Sequence, residues 1–230
     1  MSRPPASTAL AVDALLRDLG PWLRRGSLPA EPAARFPTGL PEIDRLLAGG
    51  FPRGRLSEIA GPASSGRTSL ALALLARTSG SGETCAVVDG SDGFDPASAR
   101  AAGAALERVL WVRAARRHEV LRATERLLET PGFALVLLQL ESAELRLDAA
   151  AWTRLARAAA GAGAALVVLS LERALGATAE VALEMRAMRA HFSGTPPLLE
   201  GLEAEALLVR HRSGPAERRA RVRLHSRRTA

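Results

Sequence analysis

Short apolar runs and amphipathic stretches alternate along most of the chain. Five runs have the length of buried strands, at residues 56–60, 84–89, 109–112, 134–140 and 164–169. Four stretches between them have helical periodicity, at 68–77, 97–106, 116–129 and 148–159. Runs such as ALVLLQL are apolar on both faces, which is typical of parallel strands covered by helices. The pattern therefore predicts an α/β fold with a mostly parallel twisted sheet flanked by helices.

The N-terminal part differs from this alternating core. Residues 8–25 carry leucines such as Leu10, Leu15 and Leu19 at near-helical spacing, and prolines follow at 29, 32 and 37. We interpret residues 1–37 as an amphipathic helix and a Pro-rich linker. The helix is predicted either to pack on its own domain or to dock on another subunit. Residues 38–212 are predicted to form the main domain.

The last part of the chain has a third pattern. Residues 181–190 (VALEMRAMRA) suit a strand by alternation and a helix by composition, so both stay open. The segments EALLVRHR and RARVRLH alternate apolar residues with arginine on either side of SGP. This arrangement predicts a C-terminal β-hairpin. Residues 213–230 are the predicted second hairpin strand and an Arg-rich tail.

Composition narrows the cellular setting. The single cysteine, Cys85, allows no disulfide within the chain, and the apolar runs are too short to span a membrane. The N-terminus lacks the charged start and apolar run of a secretory signal. We therefore expect a cytoplasmic protein without membrane contact.

The net charge of +7 is concentrated at the C-terminus. All 31 basic residues are arginine, and residues 210–230 contain eight of them and one acid, so the remaining 23 arginines and 23 acids balance. Such a stripe can follow a phosphate backbone, and a solvated hairpin face is an equal alternative. The candidate DNA-contacting residues are Arg210, Arg212, Arg218, Arg219, Arg221 and Arg223.

The clearest motif is GPASSGRT at residues 61–68. It follows the P-loop pattern G-x-x-x-x-G-K-[ST], with Arg67 in place of lysine, between a predicted strand and a predicted helix. Backbone N–H groups of such a loop surround a phosphate. The chain contains no lysine, asparagine or tyrosine, so coding bias alone could account for Arg67. The candidate site for ATP and Mg²⁺ consists of Gly61, Pro62, Ser64, Ser65, Gly66, Arg67, Thr68 and Ser69.

Residues 38–96 resemble the core of RecA-type recombinases, through TGLPEIDRLLAGGFPRGRLSEIAGPASSGRTSLAL and the later ETCAVVDGSDGFDP. The resemblance implies a RecA-like P-loop core with three kinds of catalytic group. The positions that correspond to the catalytic glutamate, the magnesium-supporting aspartate and the γ-phosphate-sensing glutamine are occupied by Ser91, by Gln139, and by Ser170 with Leu171. Because these positions are altered together, we expect negligible ATP hydrolysis, while nucleotide binding stays a candidate property.

A short RecA-like chain with an altered ATPase site is similar to the ImuA family. This similarity implies an accessory protein of the SOS response that acts in error-prone translesion synthesis after DNA damage. The implied partners are an ImuB-like polymerase-fold protein and an error-prone polymerase subunit. RecA, a second copy of the chain, and DNA at the basic tail are further candidates.

Two other functions stay open. A rearranged site that uses Asp92 or Glu141 would make the chain an ATP-dependent, single-stranded-DNA-binding recombinase or ATPase, although Glu141 is expected to be a solvated residue at a strand end. The connections at 141–148 and 172–179 are short for DNA-binding loops, and no aromatic residues are interleaved to stack bases. The third interpretation is a binding module outside DNA metabolism, such as a cell-division regulator.

If the helix at 8–25 docks on another subunit, Leu15→Asp should abolish association, because it places a charge on the apolar face. The core should stay folded, which circular dichroism can verify. Size-exclusion chromatography with light scattering measures the association, and an unchanged complex would reject the docking role.

Overall fold

The computed structural model describes residues 34–141, 145–212, 214, 216 and 218–225. The helix predicted at residues 8–25 and most of the Pro-rich linker lie outside this range. The elements below belong to a unit that begins at Ala34. None of the helices in the described ranges is long and apolar enough to cross a membrane.

Strands and helices alternate along the described chain as the sequence pattern predicts. The strands are β1 (Arg35–Phe36), β2 (Phe51–Pro52), β3 (Leu56–Ala60), β4 (Thr84–Asp89), β5 (Val109–Arg113), β6 (Phe133–Leu140), β7 (Ala165–Ser170), β8 (Val181–Ser193), β9 (Leu198–His211) and β10 (Arg218–His225). The α-helices are α1 (Pro41–Leu46), α2 (Arg67–Gly80), α3 (Pro96–Ala101), α4 (Arg117–Glu129) and α5 (Ala149–Ala162).

Eight of these strands form one sheet, in the order β10-β9-β8-β3-β7-β6-β4-β5. The strands from β8 to β5 run parallel to one another, and β9 is antiparallel to both of its neighbours. The predicted α/β fold, with a mostly parallel sheet and a C-terminal hairpin, is therefore confirmed. β10 falls within the segment 213–230 and is an edge strand of this same sheet.

The structure corrects the limit of one predicted helix and decides between strand and helix for another segment. The helix expected at 97–106 is wrong at its C-terminal end, because Gly103 takes a left-handed conformation (φ +100°) and α3 stops at Ala101. Residues 181–190, which suited either type of element, are part of β8. They form a strand because β3 pairs with their first residues and β9 pairs along their length, so pairing outweighs local composition.

The sheet separates two apolar layers. On one side, Leu70 and Leu74 of α2 are fully buried in a cluster that includes Ile59 of β3. On the other side, Trp152 and Leu155 of α5 belong to a second buried cluster with residues of α4 and the central strands. Because helices cover both faces, the central strands are apolar throughout.

The hairpin of β8 and β9 extends beyond the end of β3. β3 ends at Ala60, which pairs with Glu184, but β8 continues to Ser193. The additional length of both strands lies beyond the point at which the chain enters the P-loop. The hairpin therefore brings residues that are distant in sequence to the P-loop.

A carboxyl group is buried in the middle of the sheet. Glu58 on β3 has no exposed surface, and its Oε1 accepts hydrogen bonds from Ser170 Oγ at 3.2 Å and from the Ala174 N–H at 2.6 Å. Burial raises the pKa of Glu58, and the hydrogen bonds and the charge of Arg173 oppose this only in part. Glu58 therefore ties the end of β7 and the connection that follows it to the central strand.

Glu58→Gln should become more stable relative to wild type as the pH rises. Because the folded-state pKa of Glu58 is above its unfolded value, wild type has its full stability below the ordinary glutamate pKa and loses part of it as the pH passes through the raised value. The neutral amide avoids this loss. Urea unfolding between about pH 5 and pH 8 measures the difference in free energy.

Glu107→Gln, at an exposed position, is the matched control and should show no such trend. A difference between Glu58→Gln and wild type that does not change with pH would contradict the ionisation penalty.

Candidate nucleotide-binding site

The P-loop joins β3 to α2 at the carboxyl end of the parallel strands. The Gly61 N–H donates to the carbonyl oxygen of Ser170 at 3.1 Å, which fixes the start of the loop to β7. Ser64 and Gly66 have φ values of +61° and +90°, so the chain turns sharply before α2 begins. The strand, loop and helix of a phosphate cradle are therefore present.

Strands β8 and β10 approach the P-loop closely at two of its glycines, Gly61 and Gly66. A Cβ atom on Gly61 would lie 2.6 Å from the carbonyl oxygen of Met185 on β8, and one on Gly66 would lie 2.6 Å from Leu224 Cδ1 on β10. Leu224 is a flexible side chain, whereas the Met185 carbonyl is backbone and cannot rotate away. Gly61 is therefore required for the contact between the loop and β8.

Arg67, the first residue of α2, is almost completely buried. Its Nη1 donates to the carbonyl oxygens of Gly61 at 2.6 Å and Pro62 at 2.7 Å, and its Nη2 lies 2.7 Å from Glu141 Oε1. The expectation that Glu141 is a solvated strand-end residue is wrong, since its side chain is only 28% exposed and forms this ion pair. The side chain of Arg67, which the motif predicts to reach phosphates, therefore contacts its own loop and the carboxylate of Glu141, the residue directly after β6.

A cavity of about 780 Å³ adjoins the P-loop. Its polar side is formed by the P-loop and the start of α2, and its apolar side is formed largely by the β8–β9 hairpin. The residues predicted from the motif that line it are Ser64, Ser65, Gly66, Arg67, Thr68 and Ser69. Gly61 and Pro62 lie behind this lining and contribute the carbonyl groups that hold Arg67.

Sequence reasoning missed the apolar wall of the cavity. Phe94 and Ala101 contribute to it from the segment after β4, and Phe192, Leu199 and Leu202 contribute from the hairpin. Phe192 and Leu199 are 61% and 48% exposed, so the wall is open to solvent. No motif identifies the hairpin residues, because their position follows from the pairing of β8 with β3.

Of the four positions at which the sequence predicts altered catalytic residues, Gln139 alone lines the cavity. The Ser91 N–H donates to Asp89 Oδ1 at 3.1 Å, and the Ser91 hydroxyl is buried without a partner among the described residues. Ser170 is buried with its hydroxyl used in the core, and Leu171 is exposed. These side chains do not converge on a common reacting point.

Gln139 decides whether the cavity suits a magnesium ion. Its side chain is 4% exposed, and its Oε1 has no hydrogen-bond partner within the described ranges. Proteins bind Mg²⁺ through carboxylates together with substrate phosphates, and an amide supplies no charge. In the described residues, His, Cys, Asp and Glu side chains form no group of three or more suited to a metal. The loop has the shape of a phosphate cradle, whereas Gln139 supplies no charge to an accompanying metal ion.

Two carboxylates line the described cavity, and both have partners. Glu141 pairs with Arg67, and Asp95 caps α3 by accepting hydrogen bonds from the Ala97 N–H at 3.1 Å and the Ser98 N–H at 2.9 Å. A hydrogen bond from Ser98 Oγ, together with these two, lowers the pKa of Asp95. Both carboxylates therefore already interact with groups of the protein.

The six candidate DNA-contacting arginines do not form a single group. Arg210 Nε donates to the carbonyl oxygen of Ala179 at 2.7 Å and Arg212 Nη2 donates to that of Ala177 at 3.2 Å, so both hold the connection before β8. On the edge strand β10, alternate positions face the same side. The residues on its exposed face are Arg219, Arg221 and Arg223, and Arg218 is out of step with them.

Acidic residues lie opposite this arginine face. Arg221 is in register with Glu205 of β9, and Arg223 is in register with Glu203. Arg219 also approaches Glu205, at 3.6 Å. The positive charge of β10 is therefore partly neutralised by its neighbouring strand.

A family model described as the RecA N-terminal domain matches residues 22–185, which is most of the chain. The chain belongs to the RecA N-terminal domain family. This RecA-family membership confirms the resemblance that the P-loop segment carries.

Curated relatives share this RecA-like region. The chain is 31% identical to Protein RecA of Picosynechococcus sp. over 119 residues and 46% identical to Protein RecA of Deinococcus radiodurans over 74 residues. It is 36% identical to the chloroplastic DNA repair protein recA homolog 1 of Arabidopsis thaliana over 106 residues.

These alignments cover 52%, 32% and 44% of this RecA-family chain, respectively. They cover 34%, 20% and 24% of the relatives, so the chain matches about a third or less of their length.

Gly61→Ala should destabilise the protein by about 1–3 kcal/mol, because the new methyl group clashes with backbone. Gly80→Ala, at the last residue of α2, is the control. Its Cβ meets nothing within 4 Å, so the substitution should be neutral or stabilise the protein by up to about 1 kcal/mol. Urea unfolding compares the two. If Gly61→Ala were as stable as Gly80→Ala, the close approach of β8 to the loop would be wrong.

Proposed function

We propose that this chain is a non-catalytic RecA-like accessory protein of DNA repair, which acts through protein contacts. The observation that carries the proposal is the state of Arg67, which is paired with Glu141 beside a neutral Gln139. The loop has the form of a phosphate cradle, but its cation, Arg67, interacts with the neighbouring carboxylate of Glu141.

Hydrolysis of a nucleotide requires more than the loop. Catalysis of phosphoryl transfer comes almost entirely from positioning and from electrostatic stabilisation by metal and cations. Ser91 has no basicity with which to activate water, and Gln139 offers no charge to a metal ion. Binding of a phosphate group is compatible with these residues, whereas rapid turnover is not.

The two acids that could form a rearranged site, Asp92 and Glu141, each pair with an arginine. Asp92 has φ of +54° and lies 2.5 Å from Arg113 at the surface, outside the cavity lining. Glu141 lines the cavity but pairs with Arg67. Their interactions argue against the alternative function, an ATP-dependent, single-stranded-DNA-binding recombinase or ATPase.

The cellular role that fits this combination is ImuA-like. In this proposal the chain serves SOS-induced, error-prone translesion synthesis, with an ImuB-like polymerase-fold protein and an error-prone polymerase subunit as partners. The names of the relatives, which include RecA and a DNA repair protein, support the setting of DNA repair. RecA, a second copy of the chain, and DNA along the arginine face of β10 are further proposed contacts.

The steady-state rate of ATP hydrolysis tests the non-catalytic role. With ATP, Mg²⁺ and single-stranded DNA, turnover should be about a thousandfold or more below that of a bacterial RecA assayed in parallel, because a positioned base and a metal ligand are both missing. A colorimetric phosphate assay suffices, with a protein-free sample as the blank. DNA-stimulated turnover within tenfold of that of RecA would reject the proposal and favour the recombinase.

A further inference from the structure

The cation of the P-loop has a counter-ion inside the protein. Arg67 Nη2 lies 2.7 Å from Glu141 Oε1, and within the described residues no other carboxylate forms an ion pair with Arg67. Glu141 follows β6, which is separated from β3 by β7, so the pair spans the carboxyl ends of three adjacent strands. A carboxylate thus contacts the side chain that in P-loops reaches the β- and γ-phosphates.

We propose that Glu141 is a built-in anion of the P-loop, which competes with the phosphates of a nucleotide for Arg67 and keeps them off the loop. This inference rests on the proposed function in one respect, namely that the loop descends from a nucleotide site.

Both Nη groups of Arg67 already have partners in the protein. Its Nη1 is shared between the carbonyl oxygens of Gly61 and Pro62, and its Nη2 faces Glu141. The side chain is only 5% exposed. A phosphate that enters from the cavity therefore competes with Glu141 for the guanidinium.

Displacement of Glu141 is costly for two reasons. An ion pair with an N···O distance of 2.7 Å must be broken, and the released carboxylate would stay beside a highly negative ligand. Gln139, which lines the same cavity, is neutral and does not compensate this repulsion. In a RecA-type loop the basic residue at this position would interact with phosphate. Here Arg67 interacts with Glu141 and with backbone carbonyl groups of the loop.

Arginine suits this role better than the lysine of the P-loop pattern. Its planar guanidinium carries several N–H groups in fixed directions, so it donates to two carbonyl groups while it forms an ion pair with a carboxylate. The ammonium group of lysine is a compact charge without this fixed geometry. The replacement at residue 67 therefore has a structural use, in addition to agreeing with the coding bias of the chain.

The test compares the affinity of wild type and Glu141→Gln for two probes, inorganic triphosphate and a fluorescent ATP analogue. Glu141→Gln keeps the size of the side chain and removes its charge, so it should bind both probes about tenfold more tightly or better. Glu172→Gln is the matched control, because Glu172 is 80% exposed and pairs with Arg146 outside the cavity. It should bind as wild type does.

Equal affinities of wild type and Glu141→Gln would overturn the proposal. An equal gain in Glu172→Gln would overturn it too, since the effect would then be one of net charge. Thermal unfolding shows whether the variants fold. Should Glu141→Gln not fold, Glu141→Ala gives the same test: it should also gain affinity for triphosphate, and an affinity equal to that of wild type would refute the competition.

Hydrolysis measured in the same samples separates this inference from the proposed function. Equal affinities would remove the built-in anion and leave a non-catalytic protein. Rapid ATP turnover by wild type would remove the proposed function, and the affinity ratio would still decide the role of Glu141.

Discussion

Arg67 is bound on its accessible sides by its own chain, through the carbonyl oxygens of Gly61 and Pro62 and the carboxylate of Glu141. A buried guanidinium without a counter-charge would be strongly destabilising, and removing one partner of such a pair typically costs about 3–5 kcal/mol. Glu141 therefore supplies the counter-charge that the buried Arg67 requires, and the pair joins the P-loop to the end of β6.

The sheet provides the frame in which this interaction forms. β3, β7 and β6 are neighbours, so the P-loop and Glu141 emerge at the same edge. The β8–β9 hairpin extends past this edge and packs against the loop at Gly61, where only a glycine fits. Glu58 in turn holds the connection between β7 and β8. The site is therefore supported by backbone packing and buried polar contacts.

Features encoded by local patterns could be predicted, and those that depend on register could not. Apolar runs and the P-loop motif predict β3, β4 and the loop, because strand burial and glycine geometry leave a local signal. The pair of Arg67 with Glu141 joins residues 74 positions apart, and neither has a pattern that indicates the other. Arg210 and Arg212 belong to an apparent basic stripe in sequence, yet they hold carbonyl groups of a distant turn.

A crystal structure of wild type grown with Mg²⁺ and a non-hydrolysable ATP analogue shows whether Arg67 is available to a nucleotide. We predict that Arg67 stays within hydrogen-bonding distance of Glu141 and that no triphosphate lies on the loop. A triphosphate bound to Arg67, with Glu141 or Asp92 placed behind its terminal phosphate, would contradict it.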